Sequence, residues 1–416
     1  MKPMWNNRNL RLLVLGQASS LVGNYTLKFA LSMYILEVTG SAALFATFLS
    51  VAMVPTIVLS PFGGILADRG DRRRIMVTLD ACAGLAVLLA ALTLPLGHAL
   101  GVIGALLVVL SVLGAFESPT VQACVPQMLE GEDLVRGNAV VAQVQAVASL
   151  ATPFLGSVLY AAVGLVPVLW GAAGCFLVTA LLECCLQLPP PAPVEGLGVR
   201  EVLKQDLAAS GRFLWREEPG MLKLLLLAAL VSFFLAGILV VGFPFLVRTV
   251  LGLSATHYGG AESALGVAAV LGSLWVGLLA GRLRPVHLGR AIGAVGLCLL
   301  PVGLAFLLPL GTLGQYGVLV AGFCLCQFGC SFFSTYAIAA IQGRTPAGLM
   351  GKVMSYVYTL SLCAQPLGQL VYGALFDRFA GQVFWVLLPT ALVVCAVGLA
   401  TRGFFRRWEG KTPAEG

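Results

Sequence analysis

Three ionisable side chains stand inside long apolar runs of this sequence: Lys28, Glu117 and Glu262. A charge at the middle of a bilayer costs on the order of 2.5–3.5 kcal/mol, so each needs a partner, a cavity or a purpose. Glu117 precedes Ser118 and Pro119, and proline removes a backbone donor and loosens the helix around it. A carboxyl group there suits the loading and unloading of a proton; a structural carboxylate paired with a neighbouring helix is the alternative. Lys28 follows Asn24 by one helical turn, on the same face. It suits attraction of an anionic substrate or replacement of a coupling proton, with snorkelling toward the surface as the simpler role. Glu37 ends the first apolar run, Glu262 reads as structural, and Asp80 and Glu183 read as close enough to run ends to be solvated or paired with loops.

Other chemistries find little support. The histidines, His98, His257 and His287, lie at or near the ends of apolar runs, and no metal-ligand spacing or Walker sequence appears. The eleven cysteines lie almost all within apolar runs, and the group Cys324, Cys326 and Cys330 lacks the two-pair spacing of a zinc site. They read as reduced packing residues. No metal site and no cofactor is implied. A net charge of +7 suggests a nucleic-acid partner only if basic residues cluster with aromatics on one face; here they fall between apolar runs.

The elements that must position these groups are set by the lipid. Hydrophobic residues make up 59% of the chain and charged residues 10%, against about 25% charged in a soluble domain. A helix needs about 20 apolar residues to cross a bilayer core. Such runs lie near 12–36, 44–66, 75–97, 101–125, 139–162, 165–188, 221–247, 256–281, 291–310, 315–341, 352–376 and 382–404. The fold class expected is all-α: a polytopic membrane protein of twelve transmembrane helices. Sorting the 25 Lys and Arg by loop puts 22 on one side, with Arg248 and Arg378 on the other and Lys28 inside a run. The richer side, with both termini, is expected in the cytoplasm. The N-terminus lacks a convincing small-residue cleavage site and reads as a first spanning helix. Trp5, Trp170, Trp385 and Trp408 fall near run ends, whereas Trp275 sits deeper and reads as a packing residue.

The interval 189–220 divides the runs six and six. It opens with prolines and carries Val199, Leu203, Leu207 and Leu214 at roughly helical spacing, as in an amphipathic helix on the membrane face. The organisation expected is a six-helix bundle over 1–188, this cytoplasmic linker over 189–220, a second bundle over 221–405 and a tail over 406–416. A repeat supports the division. Gly64 to Arg69 aligns with Gly277 to Arg282 at an offset of 213 residues, and the same offset aligns Ala151, Pro153 and Val158 with Ala364, Pro366 and Val371. Duplicated bundles related by an axis along the membrane normal are one large transporter architecture.

Between the second and third runs stands Gly63-Gly64-Ile65-Leu66-Ala67-Asp68-Arg69-Gly70-Asp71-Arg72-Arg73-Arg74. The glycines allow close helix approach, Asp68 can accept from backbone donors at a helix N-terminus, and the arginines can meet anionic headgroups. This segment resembles the signature loop of the major facilitator superfamily. The resemblance implies a conformational-switch role for Gly64, Asp68, Arg69, Arg72 and Arg73; a basic loop that only sets topology is the alternative. It extends over nearly the whole chain toward the macrolide-efflux and siderophore-export branch, through Asn9 to Gly23, Leu59 to Met76, Phe116 to Pro126, Gly131 to Val141, Thr345 to Gly351 and Gln365 to Gly368. The sequence departs from drug exporters in two places. Thr152 to Gly156 keeps the proline and only one glycine of the fifth-span motif, and Asn24 stands where relatives often carry an acid.

The resemblance implies that spans one, four, seven and ten line a central cavity. Glu117, Lys28 and Asn24 would meet it, with Phe233, Phe234, Phe243, Gln327, Phe332, Phe333 and Tyr336 as candidate walls. Lys28 and Glu117 should differ in depth by about 12 Å, which disfavours a direct salt bridge. The function implied is export of an amphiphilic small molecule in exchange for protons, by alternating access, from a monomeric antiporter in a bacterial inner (plasma) membrane. Import or facilitation of a nutrient or organic anion is the alternative. An intramembrane receptor or enzyme is a remote one.

Overall fold

The computed structural model describes residues 7–129, 131–188, 219–279, 282–345 and 350–409, and these are helical with short connections and no strand. The proposed linker helix and most of the tail lie outside the described residues. The long helices are α1 (Arg8–Thr39), α2 (Ala42–Arg69), α3 (Arg72–Thr93), α4 (Ala99–Met128), α5 (Gly131–Val163), α6 (Leu165–Cys184), α7 (Pro219–Leu235), α8 (Ala255–Leu279), α9 (Val286–Ala305), α10 (Thr312–Gln342), α11 (Met350–Arg378) and α12 (Phe384–Glu409). Helices are the expected solution because a helix satisfies its backbone groups internally where no water is present. Among the described residues ten spans are long and apolar enough to cross a membrane. The other two long helices, α1 and α11, have 32 and 29 residues but carry more polar side chains. By apolarity alone, then, the expected twelve become ten.

Two expected runs are modified locally. The run at 291–310 ends as a helix at Ala305. The run at 221–247 does not stay α-helical: α7 passes into π-helical turns at Ala236–Gly242 and Leu246–Val250, around Phe243–Phe245. Pro244, which has no N–H to donate, sits between them; π-helical turns are rare and occur mostly as bulges within α-helices.

The chain divides into two compact units. The first takes in Met1–Thr39, Phe48–Leu197 and Ser254–Ser263; the second takes in Gly40–Thr47, Gly198–Leu253 and Ala264–Gly416. The start of α2 therefore belongs with the second unit and the start of α8 with the first.

Within the first unit close approach is made at small residues, as expected where lipid gives no hydrophobic drive between helices. A Cβ on Gly23 of α1 would stand 2.8 Å from the Cys175 Cβ of α6, and one on Gly63 of α2 would overlap the Ala115 carbonyl of α4. Thr179 Oγ donates to the Gly16 carbonyl at 3.0 Å. Asp71 caps α3, accepting from the Arg74 N–H at 3.2 Å. In the second unit a Cβ on Gly368 of α11 would overlap the Phe233 carbonyl of α7, and one on Gly398 of α12 would overlap the Gly293 backbone of α9. Asp377, at the end of α11, accepts from Ser41 Oγ at 2.5 Å and from the N–H groups of Ala42 and Ala43 at 2.6 and 3.1 Å. The first turn of α2 is thus capped by a carboxylate from the far end of the sequence. Trp275, read as a packing residue deep in its run, is 50% exposed and packs edge-on against Phe328.

Candidate functional site: a carboxyl cluster and a lysine around two cavities

The polar chemistry of the first unit gathers around α1. A cavity of about 240 Å³ is lined by Gln17, Asn24, Tyr25 and Lys28 of α1, Glu117, Ser118 and Gln122 of α4 and Gln145 of α5. A second, of about 340 Å³, is lined by Tyr25, Lys28 and Ser32 of α1, Ser149 and Pro153 of α5, and Tyr258 and Glu262. Lys28 and Tyr25 line both. Lys28 is exposed to this space, and among the described residues it makes no hydrogen bond or ion pair. Its ammonium feels the charge of Glu117. Glu262 is half-buried at the wall of the second cavity beside the Tyr258 hydroxyl, its Oε2 without a partner among the described residues, and Tyr258 stacks on Phe29 at 5.5 Å.

Behind Glu117 lies a group that sequence reasoning placed wrongly. Asp80 and Glu183 are each 1% exposed, so they are neither solvated nor paired with loops. Asp80 stands eight positions into α3 and Glu183 one from the end of α6, yet packing of α1, α3 and α6 covers both. Ser20 Oγ lies 3.2 Å from Asp80 Oδ1 and 3.3 Å from Glu117 Oε1, offering its single hydrogen to both carboxyls. Asp80 and Glu183 meet carboxyl to carboxyl. Asp80 Oδ2, both oxygens of Glu183 and Gln17 Nε2 are buried with no hydrogen-bond partner among the described residues. The sequence signal was an acid within each of two apolar runs, and nearness to the run ends outweighed it.

Of the other candidates, the aromatic wall does not assemble as one surface. Phe233 and Phe234 are edge-on to each other at 5.5 Å and gather on Tyr372 at 6.1 and 6.3 Å. Phe243 and Phe333 are buried, and Phe243 stacks on Phe323 at 5.1 Å. Phe332 lines a different cavity, of about 530 Å³, with Trp275, Phe328, Arg282, His287 and Arg290, and packs on Tyr336 at 6.4 Å. Gln327 is half-buried and lines none of these cavities. In the signature segment Arg72 Nε and an η nitrogen donate to the carbonyls of Ala67 and Ala123 at 2.7 and 3.0 Å, and Arg73 donates to the Cys184 carbonyl. These contacts tie the α2–α3 connection to α4 and α6. Gly64 faces open space. The side chains of Asp68 and Arg69 lie outside what is described.

Comparison with known proteins agrees with this architecture. The Major Facilitator Superfamily profile matches residues 13–369. Macrolide efflux protein A of Streptococcus pyogenes is 25% identical over 399 residues, covering 94% of this chain and 95% of that protein. The enterobactin exporter EntS of Citrobacter koseri is 27% identical over 323 residues, covering 75% and 72%. A bacterial homologue of the iron transporter ferroportin, solved in an inward-facing state, superposes with a TM-score of 0.68 at 18% identity over 97% of this chain and 99% of its own. With the family profile spanning most of the helices that build both cavities, this chain belongs to the major facilitator superfamily.

Proposed function

We propose that this protein is a secondary exporter that carries amphiphilic small molecules out of a bacterial cell in exchange for protons, working as a monomer in the inner membrane by alternating access. The observation that supports it most is the shared cavity in which Glu117 and Lys28 face the same space without pairing. A carboxylate in a site of low dielectric attracts either a proton or a cationic group of a ligand far more strongly than it would in water. Occupancy by one therefore opposes occupancy by the other, which is the thermodynamic requirement for exchange. Phe29, Pro153 and the tyrosine rings of the neighbouring cavity, with the polar groups Asn24, Gln17 and Gln145, suit a ligand with both characters. The functions of the relatives named above, macrolide efflux and enterobactin export, lie in the same class. The loop bias in Lys and Arg favours cytoplasmic termini, and the contacts of Arg72 and Arg73 suit a segment that changes partners between states.

A second reading, transport of an organic anion, is favoured by one feature: Lys28 opens into both cavities with no carboxylate bound to it among the described residues. Proton release separates the two. Adding a cationic dye to the purified protein in weakly buffered detergent should release protons, and Glu117→Gln should abolish the release. Absence of release from the intact protein for every cationic dye that binds would remove proton exchange from the account.

A further inference from the structure

Four side chains of the first unit form a continuous polar line through otherwise apolar packing. Glu117 opens to the cavity. Ser20 spans the gap to Asp80 with oxygen separations of 3.3 and 3.2 Å, and Asp80 meets Glu183. Glu183 lies against Gly16, one helical turn from Ser20, where an added Cβ would stand 3.9 Å from the Glu183 Cγ. Two small residues on one face of α1 thus leave room for two acids. At 1.5 Å per residue Glu117 is about 16 Å from the end of α4, whereas Glu183 is the penultimate residue of α6. The line therefore runs from the cavity toward the helix ends that carry Arg72 and Arg73.

The charge balance of this line is unfavourable unless protons are present. Three carboxyl groups, on α3, α4 and α6, share this line with one nearby ammonium, Lys28 on α1, whose charge acts on Glu117. The Arg72 and Arg73 guanidinium groups are occupied by backbone carbonyls. The thiols of Cys124 and Cys184 complete the titratable groups beside Glu183, and the described charges of α5, Asp133 and Arg136, lie at its start. Two ionised carboxylates in direct contact repel each other, and neither can donate a hydrogen bond. One proton between Asp80 and Glu183 turns that contact into an O–H to carboxylate hydrogen bond. Even then, three of the four oxygens of the pair, Asp80 Oδ2 and both of Glu183, find no donor among the described residues.

We propose that Asp80 and Glu183 form a second proton-binding station, holding one proton between them and exchanging it with Glu117 through the Ser20 hydroxyl. In the exchange Ser20 takes the proton of a protonated Glu117 as it gives its own to Asp80, so its hydroxyl is regenerated and one proton has moved toward the arginine-bearing helix ends. The proposal deepens the proton-coupled reading and rests on it for its role in transport, but occupancy of the pair is measurable without transport.

The test uses the full chain in lipid vesicles. Infrared spectra at neutral pH should contain carbonyl-stretch intensity from protonated carboxyl groups, and Glu183→Gln and Asp80→Asn should each remove a component distinct from the one removed by Glu117→Gln. Spectra of both variants identical to that of the intact protein would overturn the station. Ser20→Ala should then slow proton-driven dye uptake by about tenfold, the loss of roughly one hydrogen-bonded link, with dye counterflow at equal pH unchanged and with Ser20→Thr restoring uptake. Uptake by Ser20→Ala equal to that of the intact protein would overturn the link. If the intact protein moves no dye with protons, the coupled reading fails, while the infrared comparison still decides the station.

Discussion

Replacing Asp377 with alanine should free the first turn of α2 without unfolding either unit. The carboxylate accepts from Ser41 Oγ at 2.5 Å and from the N–H groups of Ala42 and Ala43 at 2.6 and 3.1 Å. Those two amides are among the four at a helix start that have no partner within the helix. Loss of a side-chain cap typically costs about 1 kcal/mol, and loss of a negative charge at a helix N-terminus removes about 0.3–1 kcal/mol more. The serine hydroxyl, half-buried, recovers part of its bond from water. A total near 2 kcal/mol corresponds to a roughly 30-fold rise in local opening, at 1.4 kcal/mol per factor of ten. Amide hydrogen exchange followed by mass spectrometry in lipid nanodiscs should show peptides covering Ala42 to Thr47 exchanging faster by about that factor, with peptides from α3 and α6 unchanged. Equal protection of Ala42 to Thr47 in the intact protein and in Asp377→Ala would refute the reasoning, because the three contacts would then carry no net stability.

Three further outcomes follow from the same geometry. Gly368→Ala should lower the melting temperature by several degrees in a thermal-shift assay, since a Cβ there overlaps the Phe233 carbonyl and forced overpacking costs about 1–3 kcal/mol; Gly381→Ala, whose Cβ meets nothing, should leave it unchanged. Gly63→Ala should act in the same direction on the first unit by forcing α2 from the Ala115 carbonyl, whereas Gly64→Ala, in open space, should fold normally. Lys28→Ala should weaken binding of anionic dyes by about tenfold, the loss of one charge-assisted contact, measured by fluorescence titration against cationic dyes whose affinity does not fall.

The sequence located the helices well because a bilayer imposes one strong requirement, and apolar length reports on it directly: α4 was expected near 101–125 and runs over Ala99–Met128. It was less informative where packing decides. The π-helical turns that follow α7 place Gly237 and Gly242 against Tyr372 and Phe376 of α11, a contact between segments more than a hundred residues apart. The aromatic candidates failed to form one wall for a related reason: period alone does not say which neighbour a phenylalanine meets, and Phe233 and Phe332 turned to different clusters. Glu117 and Lys28 were legible as costly charges in apolar runs, and they do share a cavity. Asp80 and Glu183 were not, because their burial comes from α1, α3 and α6 converging and not from their own neighbours in sequence. Ser20, a small polar residue in a polar stretch of α1, offered no signal until its two carboxyl partners were seen together.

Uptake of cationic amphiphilic dyes into inside-out vesicles, driven by an acid-inside gradient, tests the proposed exchange most directly when the intact protein is compared with Glu117→Gln at equal membrane insertion. Gradient-driven uptake by the intact protein, lost in Glu117→Gln while dye counterflow without a gradient persists, is the expected result. Equal gradient-driven uptake by both would contradict a coupling role for Glu117, and with it the central claim that the cavity shared with Lys28 is where protons and substrate compete.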